Sequence, residues 1–188
     1  MRLFVVAGHS REAPGARAYN GIYEHTYTMM YQRCLAREHV IQELEGSVLL
    51  DPDHLALRDV IEEINSQAMP GDYGLDIHFN NNNPQATGIE VFVHPQTTRA
   101  NKQLASKLVR GVSNIINIPV RRYHGHRDYK YPAESNPGRL AIIEDTNIPF
   151  ILVEYCFLNE TDLPKFLGRT KQVAAFNMHL YKEKFKSF

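Results

Sequence analysis

The stretch that decides the fold is Phe150-Ile151-Leu152-Val153-Glu154-Tyr155-Cys156-Phe157, an apolar run interrupted by one carboxylate. Its length and its β-branched and aromatic residues predict a strand buried on both faces, which is typical of a parallel sheet covered by helices. A lone charge in such a strand costs several kcal/mol unless a partner or a chemical role compensates. Glu154 is therefore the first candidate functional residue.

Outward from this run, strand patterns alternate with helical patterns. The sequence predicts strands at residues 3–7, 48–50, 75–78 and 89–93, and helices at about 22–45, 53–67, 98–116 and 161–184, with a short helix or strand at 140–146. Asp53 is the predicted N-cap of the second helix. This alternation predicts a single-domain α/β fold, a mixed, mostly parallel sheet with helices on both faces.

Composition excludes several classes of protein. The 21 Lys and Arg residues balance 21 Asp and Glu residues, which argues against a strong nucleic-acid binder. The two cysteines, Cys34 and Cys156, lie in apolar patterns and are expected to be free thiols. No apolar run approaches the roughly 20 residues that span a bilayer, so we expect no membrane insertion. We also expect no signal peptide, and hence synthesis in a cytoplasm.

Three further polar residues are predicted to lie near Glu154. His9 and His78 each end an apolar strand, and Glu24 lies near the start of the first long helix. The carboxyl ends of strands in an α/β sheet meet at one edge, where ligands bind. Two imidazoles and a carboxylate suit a catalytic zinc with one open position, and a fourth, non-ligating carboxylate suits a general acid/base. Spacing alone leaves a metal site and a structural polar network equally open.

Several segments, in order along the chain, carry a resemblance to a known family. They are Ala7-Gly8-His9-Ser10, Pro14-Gly15-Ala16, Asp76-Ile77-His78-Phe79-Asn80, residues 88–92, and residues 148–159 followed by Asp162. This ordered set resembles the zinc-dependent N-acetylmuramoyl-L-alanine amidases of the amidase-3 type, and Glu24 stands where that family has a helical glutamate ligand. Ser10, Arg11, Asp76 and Cys156 depart from the family pattern, and we expect these changes to affect the shape of the pocket rather than the ligands.

The resemblance implies one catalytic amidase domain over residues 1–188, with no separate cell-wall-binding domain. It implies a peptidoglycan hydrolase that cleaves the amide bond between N-acetylmuramic acid and L-alanine. The implied cofactor is Zn²⁺, held by His9, Glu24 and His78 with water at the fourth position, and Glu154 is the implied proton-transferring residue. Asn80, Arg127 and Arg139 are weaker candidates for contacts with substrate.

Alternative functions remain open at this point. One is a zinc peptidase that cuts within the peptidoglycan stem peptide, and another is a non-catalytic cell-wall-binding module. A histidine phosphatase would need an arginine where Gly8 stands, and Cys156, which strand alternation places on the same face as Glu154, lacks a histidine–cysteine motif. Without an export signal, the chain suits a phage endolysin released by a holin, or a bacterial enzyme freed by mother-cell lysis. The sequence leaves the oligomeric state unknown.

Residues 119–138 form a basic and aromatic segment without a regular pattern. It is either a wall of the substrate groove or a solvated loop, and the sequence does not separate these interpretations. It contains His124 and His126, which lack a neighbouring carboxylate in a metal-binding pattern. We therefore expect neither histidine to bind the catalytic metal.

Overall fold

The computed structural model describes residues 2–81, 83–136 and 138–185. Asn82 lies outside the described residues, as does Pro137 of the basic segment at 119–138. Within the described ranges the chain forms these elements: β1 (Arg2–Ala7), α1 (Glu24–Ile41), β2 (Ser47–Leu50), α2 (Leu57–Gln67), β3 (Tyr73–Asn80), β4 (Glu90–Val93), α3 (Arg99–Ile116), a 3₁₀ turn (Pro132–Glu134), α4 (Ala141–Glu144), β5 (Phe150–Phe157), α5 (Asp162–Leu167) and α6 (Thr170–Phe185).

The five strands form one sheet in the order β2-β1-β3-β5-β4. The pairings of β1 with β2, β1 with β3, and β3 with β5 are parallel, whereas β4 runs antiparallel at the edge beside β5. This confirms the predicted mixed, mostly parallel sheet. The carboxyl ends of β1, β3 and β5 therefore lie side by side at one edge, and His78 stands directly across from Glu154 in the register of β3 and β5.

Two apolar layers cover the two faces of the sheet. Leu3 and Val5 of β1 belong to the layer that contains the buried residues of α1, α3 and α6. Phe4 and Val6, which alternate with them, belong to the layer formed with α2 and α4. The predicted helices on both faces are confirmed, and each layer buries one set of alternating strand residues.

The first helix is shorter than the sequence pattern indicated. It covers Glu24–Ile41 instead of about 22–45, because the chain reverses at Glu43, whose φ is 48°. This reversal returns Leu44 to the core, where it is 8% exposed. Burial of Leu44 against the other helices thus ends α1 earlier than the apolar pattern predicts.

The second helix begins later than predicted, and Asp53 does not cap it. Helix α2 starts at Leu57 after Ala56. The carboxylate of Asp53 instead lies 2.6 Å from Arg11 Nε and 2.6 Å from His25 Nε2. The prediction was wrong because two distant partners, which the local sequence does not reveal, bind this side chain.

The last predicted helix is divided into α5 and α6 at Gly168 and Arg169. Glycine is a poor helix former. At this point the N–H of Arg169 donates to the carbonyl of Phe166, three residues back, instead of four. The segment at 140–146, for which the sequence left helix and strand open, contains the short helix α4.

An irregularity at the end of β5 separates Cys156 from Glu154. The register shifts between His78 and Asn80, so that Asn80 pairs with Phe157. Cys156 consequently packs in the same buried layer as Tyr155, which corrects the expectation that it shares a face with Glu154. Burial raises the pKa of the Cys156 thiol well above its usual range, and both cysteines are free.

Among the described residues, no helix combines the length and the apolar character needed to cross a bilayer.

Candidate metal centre and active-site cleft

Three different elements bring His9, Glu24 and His78 together. His9 follows β1, Glu24 is the first residue of α1, and His78 lies near the end of β3. His9 Nε2 is 3.0 Å from Glu24 Oε2, and His78 Nδ1 is 3.2 Å from Glu24 Oε1. One donor atom from each residue lies within 4.8 Å of the others. The structure therefore brings together the three side chains that the sequence predicted as metal ligands.

The turn after β1 is shaped to place the two imidazoles. His9 adopts a left-handed backbone conformation with φ of 72°, which non-glycine residues rarely use outside functional or turn positions. A Cβ atom on Gly15 would lie 2.6 Å from the His9 ring, and one on Gly8 would lie 2.5 Å from the His78 ring. Both glycines are required because the backbone approaches these rings more closely than any side chain permits.

Glu24 is almost fully buried, and its two oxygens are held in place. Oε1 accepts a hydrogen bond from the backbone N–H of Phe79 at 2.9 Å, in addition to the contact with His78. Burial alone would raise the pKa of Glu24, but hydrogen bonds to His78 and His9 outweigh it and lower the pKa to about 2. The side chain is thus a fixed carboxylate at neutral pH, suited to a cation.

The donor set fits a zinc ion. Zinc bound tetrahedrally at 2.0–2.2 Å holds its ligand atoms about 3.4 Å apart, and one donor atom from each of the three residues lies within 4.8 Å of the others. Two imidazole nitrogens and one carboxylate oxygen are ligands that zinc accepts in catalytic sites. The clustered donor atoms and the ionised carboxylate are what a metal ligand set requires.

Asp76 contacts the other nitrogen of His78. Its Oδ2 is 3.2 Å from His78 Nε2, and the side chain is buried. Burial would lower the pKa of His78, but the charge and hydrogen bond of Asp76 raise it well above the usual range. A carboxylate in this position keeps the proton on Nε2 and leaves Nδ1 free to bind a cation. The expectation that Asp76 affects only pocket shape was therefore wrong. Strand alternation places residues 76 and 78 on one face, and this signal in the sequence was compatible with the contact.

Glu154 lies beside this group without joining it. Its Oε2 is buried and has no hydrogen-bond partner among the described residues. Burial raises the pKa of Glu154 to about 8. The positive charge of His78 opposes this shift, and the negative charges of Glu24, Glu90 and Asp76 support it. An unpaired carboxyl group with this pKa is able to exchange a proton near neutral pH.

A cleft extends from these residues toward the face covered by α2 and α4. His9, Asp76, His78 and Glu154 line one part of it, and its empty volume is about 1280 Å³. An apolar part of the lining comes from α2, α4 and the segments before them: Leu55, Ala56, Leu57, Val60, Leu140, Ala141 and Ile142. The cleft therefore offers a polar reaction centre next to an apolar wall.

The three weaker candidates are placed differently. Arg139 lines the cleft, where Asp145 binds its guanidinium at 2.6 and 2.7 Å. Asn80 donates to Glu90 at 3.1 Å and is not part of the cleft lining. Arg127 is bound by Glu134 at 2.5 and 2.6 Å. Contacts of these residues with substrate stay predictions, and only Arg139 lies at the cleft.

The basic and aromatic segment is tied to the protein by its own contacts. The guanidinium of Arg127 packs over the rings of Tyr123, Tyr129 and Tyr131, at 4.6, 5.3 and 4.2 Å from their centroids. His124 and His126 are exposed, and neither belongs to the group of potential metal ligands found among the described residues. Much of the segment therefore forms a fixed surface.

Comparisons with known proteins show the family of the chain and its likeness in fold. The Amidase_3 family, described as N-acetylmuramoyl-L-alanine amidase, matches residues 3–181. No curated protein matches the sequence. The fold is similar to that of an N-acetylmuramoyl-L-alanine amidase from Clostridium difficile 630, with 20% identity, a TM-score of 0.80, and coverage of 99% of this chain and 97% of that one.

Two other solved structures show the same likeness. The putative N-acetylmuramoyl-L-alanine amidase from Neisseria meningitidis is 22% identical with a TM-score of 0.75, over 98% of this chain and 96% of that one. The catalytic domain of an endolysin targeting Clostridia difficile is 18% identical with a TM-score of 0.73, over 96% of each chain. At these identities the likeness concerns the fold.

Proposed function

This chain belongs to the Amidase_3 family of N-acetylmuramoyl-L-alanine amidases, which are peptidoglycan hydrolases, and we propose that it works with a zinc ion held by His9, Glu24 and His78. The observation that carries the proposal is the convergence of these three side chains, since one donor atom of each lies within 4.8 Å of the others. Glu154 stands next to them with one unpaired buried oxygen.

The chain's own residues supply proton transfer and placement. Zinc, when bound, acts as a Lewis acid toward the carbonyl and makes water nucleophilic at neutral pH. Glu154 accepts a proton from the attacking water on its unpaired oxygen as the new C–O bond forms. It then gives this proton to the nitrogen of L-alanine as the C–N bond breaks, so that the lactyl carboxyl group and the free amine leave. Glu154 and the apolar wall line the same cleft.

The competing functions receive less support. A non-catalytic wall-binding module has no need for a pre-formed ligand cage together with an unpaired carboxyl group of raised pKa. A peptidase acting within the stem peptide requires the same centre, and the family membership favours the muramoyl amide bond.

Product analysis tests the bond that is cut. Purified sacculi are digested with and without a chelator, and the new termini are identified by mass spectrometry. We expect intact muramic acid and a new L-alanine amine, formed only without the chelator. New termini inside the stem peptide would show a peptidase instead.

Zinc stoichiometry tests the ligand set. His78→Ala should lose tightly bound zinc and lytic activity, because only two of the three proposed ligands, one carboxylate and one imidazole, remain. The matched control is the double variant His124→Ala/His126→Ala, which removes two exposed imidazoles and should keep one zinc per chain. Parental zinc affinity in His78→Ala, or loss of zinc in the control, would contradict the assignment.

How the enzyme reaches its substrate stays a proposal. We propose synthesis in the cytoplasm and release by a membrane-permeabilising partner such as a holin. Expression in a bacterial host with and without a co-expressed holin checks this, since lysis should occur only with the holin. Lysis without it would indicate another export route.

A further inference from the structure

Positive charge is concentrated in one part of the chain. Residues 99–131 contain eight Lys and Arg residues against one acidic residue, Asp128, which gives this stretch a formal charge of +7. Because the whole chain has zero net charge, the remaining residues carry −7. Such segregation is not needed for the fold, and it creates a local field that attracts anions.

The acidic partners of these cations lie beneath them. Asp128 pairs with Arg110 and Arg122, and its side chain is 4% exposed, whereas the two arginine side chains are 62% and 47% exposed. Glu90 is likewise buried under Arg121 and Lys130. The buried carboxylates of Asp128 and Glu90 thus position their basic partners, while their own charges are shielded from solvent.

The outer side of α3 carries the most continuous part of this surface. Two shallow depressions meet at Arg110, and their basic lining residues are Arg99, Lys102, Lys107, Arg110 and Arg122. Within the part of the chain that the structure describes, no acidic residue lines either depression. We call these five residues the α3 trough. Because Asp128 offsets one of the five charges, the trough keeps a charge of about +4.

The shape and chemistry of the α3 trough suit a linear polymer of phosphate groups. Arg99 and Arg110 lie eleven residues apart on one helix, a distance of about 16 Å. Three of the five cations are arginines, whose planar guanidinium groups bind phosphate oxygens in pairs. A row of cations is matched better by phosphate charges that repeat along one linear polymer than by carboxylates that sit on separate side branches of a polymer.

We propose that the α3 trough binds a linear phosphodiester polymer of the cell envelope and thereby holds the enzyme on the wall. None of the trough residues lines the catalytic cleft, so both sites are available at once. The choice of an envelope polymer rests on the proposed function, because a peptidoglycan hydrolase meets such polymers where it works.

Binding of inorganic polyphosphate tests the trough directly. The test variant is Arg99→Glu/Lys107→Glu, which reverses two exposed charges that have no ion pair among the described residues. The matched control is Arg33→Glu/Lys171→Glu, which reverses two exposed charges on α1 and α6. We expect the parent to show a slope of log K against log salt of about −3. The test variant should bind at least about tenfold more weakly, and the control should bind within twofold of the parent.

Retention on walls identifies the partner. Sacculi that keep their phosphodiester polymers are compared with sacculi stripped of them by hydrofluoric acid. The parent and the control should sediment more fully with the intact sacculi, and the test variant should lose this preference. Equal retention of the parent on both preparations, or unchanged polyphosphate binding by the test variant, would overturn the proposal. Tighter binding to duplex DNA than to polyphosphate would also overturn it, in favour of a nucleic-acid partner.

Hydrolysis of a soluble muropeptide separates this proposal from the proposed function. Such a substrate carries no phosphodiester polymer, so both variants should cleave it at the parental rate. If the parent fails to cleave it but binds polyphosphate as expected, the proposed function is wrong and the trough remains supported. If cleavage occurs but the binding differences are absent, only the trough is wrong.

Discussion

At the scale of single residues, Glu154 carries the sharpest expectation. Glu154→Gln preserves the shape of the side chain but cannot accept a proton, so folding and zinc content should survive. Amidase turnover should fall by about 10²- to 10⁴-fold, the usual contribution of a positioned general base. Both quantities are measured on the same sample, by elemental analysis and by release of L-alanine amines.

A carboxylate elsewhere in the cleft provides the control for this substitution. Glu12 lines the cleft and is exposed, so Glu12→Gln should leave turnover within a fewfold of the parent. Near-parental turnover in Glu154→Gln would remove Glu154 from proton transfer. Loss of zinc in that variant would make it a ligand instead.

Asp76 is a positioning residue whose effect should appear in metal affinity. Asp76→Ala removes the acceptor for His78 Nε2 and should weaken zinc binding by about 10- to 100-fold, as is usual for partners of ligating histidines. Asp76→Asn keeps an acceptor and should lose less. Chelator competition measures the dissociation constant, and circular dichroism checks that the metal-free variants fold. Unchanged zinc affinity in Asp76→Ala would mean that His78 is oriented by its other contacts.

At the scale of elements, Asp51 ties the end of β2 to β1 and α1. Its Oδ1 accepts from the N–H of Ala7 at 2.8 Å and from Gln32, which also donates to the carbonyl of Val5 at 2.8 Å. Burial raises the pKa of Asp51 to about 7, with a further contribution from the charge of Asp76, although the hydrogen bonds oppose it. The site where three elements meet therefore holds a carboxyl group that is protonated below neutral pH.

This raised pKa makes the stability of the metal-free protein depend on pH. Between pH 3.8 and about 7 the folded state binds more protons at Asp51 than the unfolded state, so its contribution to stability declines as pH rises through this window. Asp51→Asn keeps the acceptor oxygen without the charge and should flatten this decline, by roughly 3 kcal/mol between pH 5 and pH 8. Urea unfolding from pH 5 to pH 8 measures it. A slope equal to that of the parent would show that Asp51 titrates normally.

At the scale of the whole molecule, zinc should stabilise the fold. The three proposed ligands come from β1, α1 and β3, so one ion links elements that are distant in sequence. At a free zinc concentration 100 times the dissociation constant, stabilisation is about 2.7 kcal/mol, which corresponds to a rise in Tm of about 5–10 °C for a chain of this size. Thermal unfolding followed by circular dichroism suits a protein without tryptophan. Glu154→Gln should show the same rise and His78→Ala should not.

Much of the architecture was available from the sequence. The runs at 3–7 and 150–157 are apolar at consecutive residues, except for Glu154, which predicts strands covered on both faces, whereas Leu75 and Ile77 alternate with Asp76 and His78. The placement of His9 and His78 at strand ends followed from this, because parallel strands present their carboxyl ends at one edge. The sequence therefore predicted that His9, Glu24, His78 and Glu154 lie close together, without giving their distances.

The tertiary structure decided which polar groups actually meet. In the folded chain, Asp53 pairs with Arg11 and His25 instead of capping a helix. Asp76 contacts the ring of His78. One register shift places Cys156 in a different layer from Glu154. Oε2 of Glu154 has no hydrogen-bond partner among the described residues. Periodicity records which face of an element is buried, so the sequence by itself determined the layers and the edge where the site lies. Hydrogen bonds and charges act over a few ångströms between residues far apart in the chain, and only the folded chain fixes those distances.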